Sequence, residues 1–259
     1  MMKQNVLKTI AKESFEKIND VKKMNRYFED PFKHFYIDDF FNISFANTIL
    51  ESFPSLSSTL WDVSNDPDIE VKMRSNWKSE FDIPDNIIDC IRIMNSSYFL
   101  KAISNVLDIP KLIPDPYFTG GGLNASVSGG LLDVHIDGNY HDASGLHRRV
   151  NAILYLNPKW EEKWGGEFGL YDKNGEKLVK KIAPIHNRLM VFDTNDYSFH
   201  GLPEPLNFPD GNARRSIILY YYTKDPRPGT DTSVKNPHSA LWKKRGWLDK
   251  RGNQTRDFD

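Results

Sequence analysis

The second half of the chain is built from short segments rich in β-forming residues, each bounded by glycine or proline. Seven of these segments lie between residues 116 and 223: 122–128, 131–137, 147–157, 166–171, 177–183, 188–194 and 214–223. Residues 172–175 read Asp-Lys-Asn-Gly and predict a hairpin, because Asn-Gly tolerates the positive φ angles of a tight turn. Short strands joined in this way are typical of a β-sandwich or jelly roll.

The first 110 residues have a different periodicity. Apolar residues recur at helical spacing in segments 4–28, 40–53, 85–94 and 97–107, which predicts amphipathic helices. Segments 32–36 and 71–77 are candidate strands, and segment 55–69, rich in Ser, Asp and Pro, is predicted to be a loop. We therefore predict a mainly β fold with flanking helices (α+β), in which the helices cover one outer face of the β core. The chain is interpreted as one domain, 1–259, with a helical support region at 1–112, a jelly-roll core at 113–223 and a C-terminal extension at 224–259.

Composition argues against two kinds of partner. The 34 Lys and Arg residues balance 35 Asp and Glu residues, for a net charge of −1, so the basic excess of a nucleic-acid-binding domain is missing. No stretch of 18 apolar residues occurs, so no membrane-spanning helix is expected. Cys90 is the single cysteine and the first residues carry no apolar signal core, so we expect a cytoplasmic protein.

Residues 131–139, Leu-Leu-Asp-Val-His-Ile-Asp-Gly-Asn, contain the first two candidate metal ligands. Strand alternation predicts two faces: Leu132, Val134 and Ile136 toward the core, and Leu131, Asp133, His135 and Asp137 on the opposite side. His135 and Asp137 would then lie ~7 Å apart along the backbone, close enough for both side chains to reach one metal ion. A His-x-Asp pair is a weak signal by itself, because short motifs of common residues arise by chance.

His200 supplies the third candidate ligand, 65 residues after His135. Two imidazoles and one carboxylate leave half of an octahedral shell open, which is the arrangement of non-haem Fe(II) oxygenases. A zinc hydrolase can use the same ligands but usually presents a His-Glu-x-x-His helix, which this sequence lacks. A structural zinc site is disfavoured, because three ligands without a thiolate leave its shell incomplete.

The segment 213–222 predicts a strand with a basic residue on each face. Arg214 and Ser216 share one face, while Arg215 shares the other with apolar residues. A guanidinium beside a hydroxyl is suited to a terminal carboxylate, because arginine offers two parallel N–H donors. Arg214 is preferred for this role, and Arg215 is the alternative.

Together these motifs resemble the Fe(II)/2-oxoglutarate-dependent dioxygenases, specifically their prolyl 4-hydroxylase-like branch. The matching segments stand in the order found in that family: His135-Ile-Asp137, residues 149–160, Trp164-Gly-Gly-Glu167, residues 187–192, His200-Gly201 and Arg214-Arg215-Ser216. The resemblance covers residues from about 115 to 223. It implies a double-stranded β-helix (jelly roll), bound Fe(II), and the cosubstrates 2-oxoglutarate and O₂, with ascorbate as a further candidate cofactor.

The resemblance also implies roles for individual residues. It assigns iron ligation and catalysis to His135, Asp137 and His200, and 2-oxoglutarate binding to Arg214, Tyr155 and Ser216. Strand alternation agrees for Tyr155, because its side chain can face the pocket while Leu154 and Leu156 enter the core. Asn139 and Arg149 are candidate substrate contacts. The loop 138–147 and the C-terminal tail, with His238 and Trp242, are candidates for shaping the entrance.

The implied reaction hydroxylates an unactivated C–H group and releases succinate and CO₂. The resemblance points to a prolyl residue or another amino-acid or peptide substrate. Two alternatives remain open at this point: a hydroxylase of a small metabolite, and a non-catalytic, cupin-like metal-binding jelly roll. The sequence leaves open whether the protein is a monomer or a homodimer.

Overall fold

The described part of the chain, residues 3–77, 79–228 and 237–252, forms four helices and one fourteen-stranded sheet in a computed structural model. The helices are α1 (Gln4–Asn19), α2 (Ile43–Glu51), α3 (Asp85–Met94) and α4 (Ser97–Leu107). The strands are β1 (Tyr27–Phe28), β2 (His34–Ile37), β3 (Trp61–Asp66), β4 (Glu70–Ser75), β5 (Ile113–Pro114), β6 (Gly122–Ser126), β7 (Leu131–Ile136), β8 (His147–Tyr155), β9 (Phe168–Tyr171), β10 (Leu178–Ile182), β11 (Arg188–Asp193), β12 (His200–Leu202), β13 (Arg214–Thr223) and β14 (Leu241–Trp242). No described helix is long and apolar enough to cross a membrane.

The strands follow the order β1-β2-β11-β8-β13-β6-β4-β7-β12-β9-β10, with β5 on β13, β3 on β4 and β14 on β7. Strands distant in this order share one apolar cluster. Ile153 of β8 and Met190 of β11 pack with Phe168 of β9 and Leu202 of β12. The sheet therefore curls until its two halves face each other, as in a jelly roll.

Side-chain alternation along β8 separates the two sides of the curled sheet. Ala152 and Leu154 pack against the cluster that contains all four helices, whereas Ile153 and Tyr155 face the interior. Strands β11 and β13 alternate in the same sense. The helices consequently cover the outer face of the β2-β11-β8-β13-β6 half of the sheet, as predicted.

Asn187 fastens the N-terminal segment to the sheet. It lies just before β11 with a φ of 62° and is 1% exposed. Its side chain accepts a hydrogen bond from the backbone N–H of Phe41 at 3.0 Å and donates one to the carbonyl of Phe41 at 2.8 Å. Its own carbonyl accepts the N–H of Phe40 at 2.9 Å. These bonds fix the chain where it enters α2.

Most of the predicted elements agree with the structure, but the helix predicted over 4–28 is shorter: α1 ends at Asn19, and residues 27–28 form β1. Each of the seven predicted β segments contains a strand, segments 85–94 and 97–107 are helices α3 and α4, and the predicted hairpin at 172–175 joins β9 to β10. The prediction that 55–69 is a loop is wrong, because β3 pairs with β4 along six residue pairs. β3 is mostly exposed, so it lacks the apolar alternation that marks a half-buried strand. The three-residue strand β12 and the two-residue strands β1, β5 and β14 were not predicted either.

The sheet continues across residues 112 and 223, the boundaries predicted for the jelly-roll core. On the N-terminal side, β2 pairs with β11, and β4 pairs with β6 and β7. On the C-terminal side, β14 pairs with β7. The segment before residue 113 thus contributes strands as well as helices.

Replacing Asn187 tests how strongly this residue holds the N-terminal segment. Asn187→Gly removes two buried hydrogen bonds but tolerates the positive φ, so we expect a loss of about 2 kcal/mol in the free energy of unfolding. Asn187→Ala adds the strain of a left-handed backbone and should cost about 1 kcal/mol more. Urea denaturation of both variants measures the two effects. A wild-type midpoint for both would show that these bonds do not stabilise the fold.

Candidate metal centre and substrate cavity

Two candidate ligands are brought together by the pairing of β7 with β12. His200 lies opposite His135, and Leu202 lies opposite Leu132. Three steps along β7 therefore match two steps along β12, which defines a β-bulge in β7. The strands approach so closely here that a Cβ on Gly201 would lie 2.8 Å from the Asp133 carbonyl oxygen and 2.9 Å from that of Leu132. Only glycine fits at this position.

The bulge corrects the predicted faces of this strand. Leu132 was predicted to share a face with Val134 and Ile136, but it lines the same cavity as His135 and Asp137. Asp133 was predicted to lie beside His135. Its carboxylate instead accepts the backbone N–H of Lys244 at 2.7 Å, outside the cavity. An extra residue in one strand rotates the side chains before it by half a turn.

His135, Asp137 and His200 converge within the cavity. One ligand atom from each lies within 4.8 Å of the other two. Nε2 of His135 is 3.8 Å from Oδ1 of Asp137, and Nε2 of His200 is 3.9 Å from Oδ2. The two imidazole centroids are 4.3 Å apart. All three side chains are buried.

Backbone hydrogen bonds determine which imidazole nitrogen is free. Nδ1 of His135 lies 2.8 Å from the Asp133 carbonyl oxygen, and Nδ1 of His200 lies 2.8 Å from that of Ser198. A carbonyl oxygen can only accept, so both Nδ1 atoms carry the proton and both Nε2 atoms keep a lone pair directed at Asp137. Burial, followed by the neighbouring His200, lowers the pKa of His135 to about 3, and burial also lowers the pKa of His200. Both rings are therefore neutral at pH 7.

Asp137 is held as a carboxylate. Burial opposes its ionisation, but His200 and His135 in their protonated forms, together with the Arg148 guanidinium, outweigh that cost and lower its pKa. At pH 7, where both imidazoles are neutral, Arg148 supplies the positive charge. Nδ2 of Asn151 also donates a hydrogen bond to Oδ2 of Asp137 at 3.2 Å. Two neutral imidazoles and one ionised carboxylate are the donor set that a divalent transition metal requires, so these residues fit such an ion without rearrangement of their protons.

A second group of polar side chains lies deeper between the two halves of the sheet. The hydroxyls of Tyr155 and Ser216 are buried and make no well-formed hydrogen bond within the protein, although the Tyr155 hydroxyl lies close to the Arg214 guanidinium. The Arg214 guanidinium lies 5.0 Å from the Tyr155 ring centroid, and its Nε donates to the carbonyl of Gly166 at 2.7 Å. A Cβ on Gly166 would lie 3.0 Å from Cδ of Arg214, so this glycine lets the arginine approach. Buried hydroxyls beside a cation that make no well-formed hydrogen bond fit an anionic ligand that accepts their hydrogen bonds.

Arg215 lies on the other side of β13. Its guanidinium carbon is 6.0 Å from the ring centroid of Phe53, which packs on the helix-side cluster. Its backbone is held by Asn157, whose side chain accepts the Arg215 N–H and donates to its carbonyl. Arg215 therefore does not share the interior with Tyr155 and Ser216, whereas Arg214 does.

The cavity around the three candidate ligands has a volume of about 490 Å³. Its walls come from β4, β7, β8 and β13 and from the C-terminal segment, defined as residues 237–252. The indole of Trp242, in β14, stacks on His135 with a centroid distance of 4.5 Å and an interplanar angle of 22°. His238 also lines the cavity. The C-terminal segment thus forms part of the cavity wall, and its role in shaping the entrance stays a prediction.

The two residues predicted to contact substrate lie elsewhere. The side chain of Asn139 accepts the backbone N–H of His238 at 2.9 Å and holds the C-terminal segment. Arg149 donates to the Thr223 hydroxyl at 3.3 Å and does not line the cavity. A second bulge, at Arg149 on β8 opposite Tyr221 and Tyr222, exchanges the positions of neighbouring arginines.

Arg148 is the cavity residue that the sequence did not reveal. It is packed 3.9 Å over the Tyr220 ring, and one of its terminal nitrogens lies 3.8 Å from Oδ1 of Asp137. Its Nε is buried without a hydrogen-bond partner. The sequence does not show whether Arg148 or Arg149 faces inward, because their orientation depends on the bulge in β8.

Comparison with known proteins agrees with this geometry. Residues 122–222 match the family described as the 2OG-Fe(II) oxygenase superfamily. A prolyl 3-hydroxylase, OGFOD1, from Xenopus laevis is 35% identical over 106 residues, which covers 38% of this chain and 20% of that protein. Its Mus musculus counterpart is 33% identical over 106 residues, covering 38% and 19%. The chain thus spans about a fifth of the length of these curated relatives.

Solved structures share the fold at low sequence identity. A prolyl hydroxylase from Trichoplax adhaerens, in complex with a peptide fragment of the hypoxia inducible factor oxygen degradation domain, aligns with a TM-score of 0.58 at 20% identity over 86% of this chain and 94% of that chain. A Pseudomonas putida prolyl-4-hydroxylase aligns with a TM-score of 0.54 at 15% identity over 82% and 99%. The predicted jelly-roll fold is confirmed. The resemblance of this chain to the Fe(II)/2-oxoglutarate-dependent oxygenases of the prolyl 4-hydroxylase-like branch is confirmed.

Proposed function

We propose that this protein is an Fe(II)- and 2-oxoglutarate-dependent dioxygenase that hydroxylates an unactivated C–H group. The observation that carries the proposal is the convergence of three metal-ligand side chains in a cavity lined by Ile153 of β8 and Ile218 of β13. Tyr155 and Ser216 lie two residues further along the same interior faces of these strands. A non-catalytic metal site would have no need of an anion-binding group beside an incomplete ligand set. We therefore favour the enzyme over the cupin-like alternative.

His135, Asp137 and His200 would hold the metal through Nε2, a carboxylate oxygen and Nε2. Iron held by these residues would allow O₂ to oxidise the substrate C–H group and 2-oxoglutarate together, with one oxygen atom going to the hydroxylated product and the other to succinate as CO₂ is released. In both histidines the proton is on Nδ1, which donates a hydrogen bond to a backbone carbonyl oxygen. The Nε2 atoms, which would bind the metal, therefore stay unprotonated. Asn151 holds the Asp137 carboxylate in its orientation.

Arg214 would bind the distal carboxylate of 2-oxoglutarate, with Tyr155 and Ser216 donating hydrogen bonds to it. All three side chains are buried, so water cannot compete for the carboxylate. Burial lowers the pKa of the Arg214 guanidinium, and the nearby Tyr155 partly offsets this effect. The guanidinium remains a cation because its ordinary pKa is above 12.

We propose a prolyl residue in a peptide or protein as the substrate, from the prolyl hydroxylases among the relatives. A free amino acid or another small metabolite is the second candidate. In place of Arg149, we assign Arg148 to substrate positioning, because it lines the cavity beside Asp137. Asn139 would act indirectly by holding the C-terminal segment.

We further propose a cytoplasmic location, on the basis of the single cysteine, which is free and buried. Ascorbate would serve only to restore oxidised iron, and we propose no residue that binds it. We also propose that one domain spans the chain, because its sheet includes strands from both ends, and that one copy suffices for the site.

Removing a proposed ligand should abolish metal binding. Loss of a hydrogen-bond partner of a metal ligand already costs about 10- to 100-fold in affinity, so His200→Ala and Asp137→Ala should exceed that loss. Calorimetric titration with Ni²⁺ measures it, and succinate release from 2-oxoglutarate in the presence of Fe(II) should disappear in parallel. His186→Ala is the matched control, because His186 bonds to Asn47 and lies outside the cavity. Turnover that survives both cavity substitutions would contradict the ligand assignment.

The two candidate arginines can be separated by 2-oxoglutarate kinetics. Arg214→Gln loses a charged donor and should raise the KM for 2-oxoglutarate by about 10- to 100-fold. Tyr155→Phe loses a neutral hydrogen bond and should raise it by about 2- to 10-fold. Arg215→Gln makes the same charge change as Arg214→Gln on the other face of β13 and should leave the KM unchanged. If Arg215→Gln raised the KM for 2-oxoglutarate and Arg214→Gln did not, Arg215 would be the residue that binds the distal carboxylate.

A further inference from the structure

One wall of the cavity presents a row of charges from β4. Side chains alternate across a strand, so Glu70, Lys72 and Arg74 share a face, and all three line the cavity. β4 pairs with β7 at Glu70 and with β6 at Arg74. It therefore bridges the gap between those strands directly beside His135 and forms the rim of the opening.

The C-terminal segment adds a third cation to this rim. Nζ of Lys250 lies 2.6 Å from Oε1 of Glu70, and Nζ of Lys72 lies 2.7 Å from Oε2 of the same residue. One carboxylate thus serves two ammonium groups. Burial would raise the pKa of Glu70, but the two lysines outweigh it and lower that pKa well below its ordinary value. Glu70 is fully ionised and still neutralises only one of its two partners.

The remaining cation has no comparable partner. Nη2 of Arg74 is 3.3 Å from Oδ2 of Asp62, and both side chains are about half exposed, at 40% and 53%. Exposed pairs of this kind bind weakly. We name Lys72, Arg74 and Lys250 the cationic rim. It carries three positive charges, against which stand the buried carboxylate of Glu70 and the exposed carboxylate of Asp62.

The cationic rim lies within electrostatic reach of the candidate metal centre. Lys72 lines the same cavity as His135 and His200, so its ammonium faces the space in which a substrate would react. Its side chain is 21% exposed and remains open to a ligand. The rim is distinct from Arg214, which lies in the interior with Tyr155.

We propose that the cationic rim binds a carboxylate of the substrate and thereby selects acidic substrates. The ligand carboxylate would lie between Lys72, Arg74 and Lys250. It would give the two lysines a second negative partner, so that they no longer depend on Glu70 alone. This inference rests on the proposed function for the identity of the reacting site. Two sources supply the same chemistry: an Asp or Glu side chain beside the reacting residue of a peptide, or the α-carboxylate of a free amino acid.

Binding of matched ligands to the Ni²⁺- and 2-oxoglutarate-loaded protein tests the proposal without requiring turnover. Fluorescence anisotropy compares three labelled peptides in which one proline is flanked by two Glu, two Gln or two Lys residues. Competition by L-proline and by prolinamide compares a free carboxylate with its amide. We expect about tenfold tighter binding of the Glu peptide than of the Gln peptide, or of L-proline than of prolinamide, as one charged hydrogen bond provides. The first preference identifies a side-chain carboxylate and the second an α-carboxylate.

Two substitutions on separate elements locate the effect. Lys72→Gln in β4 and Lys250→Gln in the C-terminal segment should each reduce the preference for the carboxylate ligand by about fivefold or more, and raising the salt concentration should reduce it in the wild type. Lys163→Gln is the matched control, because Lys163 pairs with Glu161 on the surface away from this cavity. Equal binding of acidic and neutral ligands, or no binding of either, would overturn the proposal.

The result is separable from the proposed function. A preference for acidic ligands that Lys72→Gln removes would stand even if Fe(II) and 2-oxoglutarate gave no succinate. If the protein releases succinate but shows no preference for acidic ligands, the proposed oxygenase activity would stand and the cationic rim would not be a carboxylate-binding site. A preference that Lys163→Gln reduces as much as Lys72→Gln would show that net charge, not the rim, attracts the ligand, and would also overturn the proposal.

Discussion

The cost of burying polar groups governs the organisation of this molecule. His135, Asp137 and His200 are buried inside a curled sheet, where each unpaired polar atom is destabilising. The fold satisfies the outward-facing half of this set from its own backbone, through carbonyls at Asp133 and Ser198. The inward-facing half, two Nε2 lone pairs and a carboxylate, is left for a cation. The same reasoning applies to the hydroxyls of Tyr155 and Ser216, which make no well-formed hydrogen bond within the protein.

The wall that closes this site comes from parts of the chain distant in sequence. β4 precedes β7 by about 60 residues, and the C-terminal segment follows β7 by more than 100. Both nevertheless line the same cavity. Trp242 covers His135, and Lys250 meets Glu70. This wall of the cavity is therefore assembled from segments well before and well after β7 in the chain, while the candidate ligands come from β7, the residue directly after it and β12. Residues 122–222, which match the superfamily, contain the candidate ligands but not Lys72, Trp242 or Lys250.

Local alternation was sufficient to predict much of the fold and part of the candidate site. It placed Leu154 outward and Tyr155 inward on β8, and Arg214 and Arg215 on opposite faces of β13, as the structure has them. It failed on β7, where Leu132 and Asp133 exchanged faces, and at the pair Arg148 and Arg149. Both failures have one physical cause, since an added residue in one strand of a pair shifts every following side chain to the other face. A bulge is a property of the pairing between strands, and a single strand's sequence does not contain it.

The positions of the two bulges explain why the side-chain orientations predicted from strand alternation differ from the structure at the candidate site. Regular pairing on β7 would leave Leu132 outside the cavity and bring the Asp133 carboxylate inside, where its negative charge would compete with Asp137 for the metal. Regular pairing on β8 would replace Arg148 beside Asp137 by a residue from the outer face. Each bulge thus turns one unwanted polar group out of the interior: Asp133 toward Lys244 and Arg149 toward Thr223. In a regular strand every second side chain would face the cavity. The bulges in β7 and β8 break this alternation, and they thereby determine which side chains line the cavity.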